Sequence, residues 1–182
     1  FLLWSIVNKF HNSSTLTSVL ICTFFWKVKL FFFYKFKILA NLIEKIVDSE
    51  INTMIFDLKT LIKIPSVSAK NQSLVECAEA VSTLMNRVGI NSEIIYLDPT
   101  DKNIASSLPP PPIVYGEIKS QKNPNGKTIL FYNHYDVQPE DPIDQWNFPP
   151  FSGEISGNYI YGRGASDDKG ELITRIKAVE YF

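Results

Sequence analysis

The feature that most limits how this chain can fold is a change of hydrophobic period along it. Apolar residues recur at three- and four-residue steps in two stretches, and then at strand spacing in the stretches that follow. Ile43, Val47, Ile51, Met54 or Ile55, Leu58 and Ile62 form the first helical stripe, which Pro65 stops. Leu74, Ala78, Val81, Met85 and Val88 form the second. Ser73 and Glu76 open it in the pattern of a capping box, and Gly89 closes it. Both stripes are expected to face a core. Residues 90–97, 113–119 and 128–133 then read as strands, the last two joined by a turn at Asn125-Gly126, and Ser156-Gly157-Asn158 marks a further hairpin. Residues 98–112 read as a loop, with polyproline geometry at Pro109–Pro112. From Lys169 to Phe182 a helical pattern returns, with Leu172, Ile176 and Val179 on one side. Helix and strand alternate, so the expected fold class is α/β, a mixed sheet flanked by helices.

Charge and rare residues narrow the function classes. The 182 residues carry a net charge of −1 and no basic stripe interleaved with aromatics, which gives nucleic acid nothing to bind. The two cysteines, Cys22 and Cys77, stand at no metal-like spacing, so neither a disulfide scaffold nor a zinc knuckle is expected, and a reducing cytoplasm is the default location. The two histidines are His11 and His134, so any metal site must lean on carboxylates.

The first forty residues differ from the rest. They hold 11 of the 24 aromatics and five lysines, and the first acidic residue is Glu44. Lys27 and Lys29 split the apolar runs, and neither run reaches the roughly 18 to 20 apolar residues that a membrane span requires. Several lysines follow the apolar core where a signal peptide would place them before it. The bias towards Phe, Lys, Leu and Ile is that of translated AT-rich DNA. Residues 1–40 are therefore set apart as an unassigned leader, expected to be either poorly ordered or not natural coding sequence, and no membrane partner is expected. The sequon at Asn12 carries little weight without secretion.

Two polar stretches carry the chemistry. LFYNHYDVQP, Leu130 to Pro139, runs an apolar strand into His134 and Asp136, which an extended backbone projects to one face. YGRGASDDKG, Tyr161 to Gly170, sets glycines on both sides of Arg163 and places Asp167 and Asp168 just before a helix. Each has an ordinary reading on its own. A single histidine is more often structural than a ligand, and aspartates before a helix favour its N-terminus.

Together, NHYDVQP, Trp146, PPF at Pro149–Phe151 and YGRGASDDKG, in that order, resemble the M20 family of zinc metallopeptidases. The resemblance extends over residues 41–182 and includes LIKIPSVSA, Leu61 to Ala69, which is similar to the family's opening helix and turn. HYDVQP leans towards the dipeptidase and carnosinase-like branch. The resemblance implies a hydrolase that cleaves dipeptides or short peptides with a water activated between two Zn2+ ions, Mn2+ or Co2+ being able to replace them. His134 matches an imidazole ligand, Asp167 the carboxylate that bridges the ions, and Asp136 the acid that orients the imidazole. Asp168 is its neighbour across a peptide bond that the family often keeps cis, and is not expected to be a ligand. Arg163 and Lys169 are expected to serve the loop.

The resemblance also implies residues that these 182 do not contain. The Glu-Glu pair with the general base, a further acidic ligand and a distal histidine come later in the family pattern, together with a lid or dimerisation domain. The chain is therefore expected to be the N-terminal part of a catalytic domain, inactive in isolation, whose full-length form is a homodimer. The alternatives are an N-acyl amino acid deacylase of the succinyl-diaminopimelate or acetylornithine type, and a non-catalytic truncated module.

Overall fold

A computed structural model describes residues 15–98 and 109–181, with side chains described from Lys35 onward. His11, the sequon at Asn12 and the greater part of the loop at 98–112 lie outside the described residues, as does the side chain of Cys22. Two compact units are present, one ending at Ile51 and one beginning at Asn52.

The long helix α1 spans Thr15–Ile62, passing from the first unit into the second. Its predicted apolar stripe is only half used. Ile43 and Val47 are 49% and 43% exposed, whereas Leu61 and Ile62 are wholly buried. A helical stripe is buried only over the turns on which other elements pack, and the core gathers the turns from Met54 onward. Pro65 lies just beyond the helix, where its missing N–H and its ring forbid another turn. Among the described residues no helix is long and apolar enough to cross a membrane.

Helix α2, Leu74–Arg87, buries Leu74, Cys77, Ala78, Val81 and Leu84. Its start corrects the expected capping box. Ser73 takes a left-handed conformation at φ 48° and its side chain makes no capping bond, because that backbone turns the hydroxyl away from the free amides of the first turn. The other end follows the sequence: Ile90 N–H bonds to the Met85 carbonyl at 2.9 Å and Gly89 N–H to the Asn86 carbonyl at 3.1 Å, the paired bonds of a Schellman motif. The chain then enters β1, Asn91–Ile95, which pairs antiparallel with β2, Ile113–Glu117, from Asn91↔Glu117 to Ile95↔Ile113. Helix α2 packs on this pair.

Two expectations between β2 and the polar motifs need correction. The turn after β2 is centred one residue earlier than expected, with Pro124 and Asn125 in the middle and Gly126 N–H bonded to the Asn123 carbonyl at 3.0 Å. Proline's fixed φ suits the first central position, which leaves the glycine at the fourth. Residues 128–133 carry no ladder among the described residues, and Leu130 and Tyr132 are 86% and 82% exposed. An apolar strand buries its side chains only when neighbouring strands and a covering layer supply the other surface, and here neither is present among the described residues. The nearest sheet-like contact is a single parallel bridge between Val67 and Val137.

A small hairpin follows at the expected place, with β3, Glu154–Ser156, pairing with β4, Tyr159–Tyr161; Ser156, expected in the turn, is the last strand residue, which leaves Gly157-Asn158 as the loop. Helix α3, Lys169–Glu180, closes the described chain and buries Ile173 and Ile176, with Leu172 and Val179 packed at the edge of the core. The core joins Leu61 of α1 and Ile64 just beyond it to Cys77, Val81 and Leu84 of α2, to Ile90, and to Ile173 and Ile176. The architecture is α/β, built from helices and antiparallel pairs with one parallel bridge.

Candidate active site

The site begins with the way the extended segment is held. Val137 N–H bonds to the Ser66 carbonyl at 2.8 Å, and the Ser66 hydroxyl donates to the Tyr135 carbonyl at 2.7 Å. Tyr135 and Val137 thus face the turn after α1. Tyr135 is tied further by its hydroxyl, which donates to the Pro112 carbonyl, and burial pushes its phenol well above the ordinary range. His134 and Asp136 alternate with these residues, so their side chains share the opposite face.

On that face the imidazole of His134 has a carboxylate group on each side. Nδ1 lies 3.0 Å from the Asp136 carbonyl oxygen and 3.2 Å from Asp136 Oδ1, while Nε2 lies 3.1 Å from Asp167 Oδ1. The structure therefore brings together the three residues singled out from sequence, across the 33 positions between His134 and Asp167. An Nδ1–H donated to Asp136 leaves a lone pair on Nε2, facing another acceptor. Two acceptors at that distance need a cation between them, either a proton or a metal. Without a metal the proton is favoured. Burial works against charge on His134, but its bonds to the Asp136 carbonyl and the Asp167 carboxylate, with the charges of Asp136 and Asp168, outweigh it and raise its pKa.

The donor set also fits a divalent ion. Nitrogen and oxygen ligands ~2.0 to 2.2 Å from a tetrahedral zinc stand roughly 3.4 Å apart, close to the Nε2–Oδ1 separation. Two donors make only part of such a site. Among the described residues no group of three or more His, Cys, Asp or Glu side chains is placed to hold a metal.

The loop that carries Asp167 is fixed from three directions. The Asp167–Asp168 peptide is cis. The Asp167 side chain is largely exposed, while Asp168 is buried and accepts two bonds at Oδ2, from Asn133 Nδ2 at 2.8 Å and from His134 N–H at 3.0 Å. Asp168 occupies the position before α3, yet its side chain does not cap the helix, because this carboxylate faces the His134 segment instead. Lys169 is fully buried, and its ammonium donates to the Leu61 and Ile64 carbonyls, each at 2.8 Å. Burial lowers its pKa, partly offset by Cys77 and Asp136 nearby. Arg163 lies 4.8 Å from the centre of the Trp146 ring, and its backbone N–H bonds to the Pro150 carbonyl at 2.6 Å. The indole N–H of Trp146 donates in turn to the Glu140 carbonyl at 2.7 Å.

Two residues beside the site were given no role from the sequence. Asn133 uses its amide to link Asp168 to Arg175, whose guanidinium reaches Asn133 Oδ1 at 2.9 Å and the Tyr132 carbonyl at 2.6 Å. Asn133 adjoins His134 and could have been flagged by position. Arg175 lies two turns into α3, and nothing in its local sequence separates it from an ordinary exposed helix residue.

Residues 130–182 match the model of Peptidase family M20/M25/M40. The chain is 34% identical over 148 residues to the Cys-Gly metallodipeptidase dug1 of Schizosaccharomyces pombe, covering 79% of this chain and 30% of that protein. Among solved structures it is similar to human carnosine dipeptidase 1, with a TM-score of 0.63 and 30% identity over 76% of this chain and 30% of that one. It is also similar to the M20 family metallo-carboxypeptidase Sso-CP2 from Sulfolobus solfataricus, with a TM-score of 0.60 and 35% identity over 70% of this chain and 26% of that one. The chain thus spans less than a third of the length of the curated relatives it matches, about 30% of the fission-yeast protein.

Proposed function

We infer, from the premise that this chain belongs to Peptidase family M20/M25/M40, that it contributes one side of the active site of a metal-dependent dipeptidase. The observation that carries the reading is the imidazole of His134 set between Asp136 and Asp167. His134 Nε2 and Asp167 would hold a divalent cation, with zinc expected and manganese or cobalt as substitutes. A bound ion of this kind acidifies water and polarises a carbonyl, the two changes that amide hydrolysis near neutral pH needs. Asp136 holds the Nδ1 side of the ring, which keeps the Nε2 lone pair directed at Asp167 and makes it more basic. Asp168 and Lys169 stay out of the chemistry and anchor the loop. The general-base glutamate and the other ligands would come from sequence outside these 182 residues, because two donors do not hold zinc tightly.

The relatives support the substrate class. The fission-yeast protein is named for Cys-Gly, the human structure for carnosine, and the archaeal one for carboxypeptidase action. We propose dipeptides or short peptides as substrates, a cytoplasmic location and a homodimeric whole protein. The test is hydrolysis by the native protein reloaded with Zn2+, on Cys-Gly and β-Ala-His beside N-acetyl amino acids. Cleavage of the dipeptides supports the reading. Cleavage of the N-acyl substrates alone would make the protein a deacylase, and cleavage of neither would favour a non-catalytic module.

A further inference from the structure

We propose that Arg175 is a positioning residue for His134, acting through Asn133 and Asp168; the proposal rests on His134 being a metal donor in the reading above. Arg175 also bonds to Glu171 one turn earlier, NH2 to Oε2 at 2.7 Å, which alone would make it an ordinary pair on the surface of α3. Its other nitrogen does something a surface pair does not. NH1 reaches both the Tyr132 carbonyl and Asn133 Oδ1, so one guanidinium holds the main chain and the side chain just ahead of His134.

The chemistry of the groups fixes the direction of the relay. Arginine only donates, so the Asn133 amide must turn its oxygen to Arg175. That leaves the NH2 for Asp168 Oδ2, which as a carboxylate only accepts. The same oxygen takes the His134 backbone N–H. Glu171, Arg175, Asn133, Asp168 and His134 thus form one connected chain of hydrogen bonds.

This chain matters because of where it lies. On its C-terminal side the His134 segment is held by Ser66, through Tyr135 and Val137. On its N-terminal side residues 128–133 have no ladder among the described residues, so Arg175 and Asp168 provide the fixing there. A ring held at one end only would swing about its backbone, and the Nε2 lone pair with it.

The test uses the native protein with Arg175→Met, Arg175→Lys and Asn133→Ala, read by amide hydrogen exchange without metal and by calorimetric titration with Zn2+. In Arg175→Met the His134 amide should exchange about tenfold faster while the amides of α2 keep their protection. Zinc affinity should fall about tenfold or more, the usual cost of losing a partner that orients a ligand. Arg175→Lys, which can hold one acceptor but not the fork, should recover part of both effects. Adding Asn133→Ala to Arg175→Met should change little, since both break the same relay. His134 exchange unchanged in Arg175→Met and in Asn133→Ala would overturn the proposal, as would effects of the two substitutions that simply add. A wild-type protein that takes up no zinc would remove the metal reading, and the exchange measurement would still decide whether Arg175 positions His134.

Discussion

The ammonium group of Lys169 stands 2.8 Å from the carbonyl oxygen of Leu61, joining the first residue of α3 to the last turn of α1. A helix end leaves its final carbonyls without partners, and here a buried lysine satisfies one of them, together with the Ile64 carbonyl just beyond. Lys169→Met keeps the aliphatic bulk but leaves both oxygens unpaired, while removing the cost of burying a charge. The net loss should be about 2 kcal/mol, read as a lower urea midpoint at unchanged slope. An unchanged midpoint would show that the two carbonyls find other partners.

The three residues around the imidazole should separate by role. In the metal-loaded native protein, His134→Ala or Asp167→Ala should abolish peptidase activity and lower zinc content. Asp136→Ala should lose most activity while keeping part of the zinc, its affinity falling about 10- to 100-fold, because orientation rather than ligation is lost. Zinc loss as deep as in His134→Ala would make Asp136 a ligand.

The pKa of His134 is raised in the folded protein, so its sign in stability follows directly. A group with a raised folded-state pKa adds stability that is fully present below its unfolded value, near 6.5, and is lost as pH climbs through the folded value. The urea midpoint of the metal-free protein should therefore drop as the pH rises past about 6.5, by a component missing from His134→Ala. An identical drop in both proteins would assign the effect to other groups. Zinc uptake should run the opposite way and strengthen over the same range, because the ion takes the neutral ring.

Gly170 sits where α3 approaches its own leading loop. A Cβ there would meet the carbonyl oxygen of Ala165, which is backbone and cannot swing aside. Gly170→Ala should cost about 1 to 3 kcal/mol by forcing the Asp167 loop to shift, and zinc affinity should fall with it. A variant of wild-type stability would mean that the loop yields freely.

Much of this was readable from local pattern. The helices around Leu58, Val81 and Ile176, the hairpin at Gly157 and the grouping of His134, Asp136 and Asp167 all depend on spacing or on motifs that the sequence displays. What escaped was set by distant packing. The stripe through Ile43 and Val47 looks the same whether or not anything covers it, and only the structure shows where the covering stops. Ser73 and Glu76 have the right letters for a capping box, but the left-handed backbone at Ser73 decides otherwise. The link from Arg175 to Asn133 joins residues 42 positions apart and leaves no periodic trace.

Ile129–Tyr132 is the most apolar surface beside the site, four consecutive side chains each more than half exposed. Left bare, such a strip is the kind of surface on which chains associate. It also offers other copies an open template for intermolecular strand pairing. A polypeptide that leaves the strip bare is therefore prone to self-association as its concentration rises.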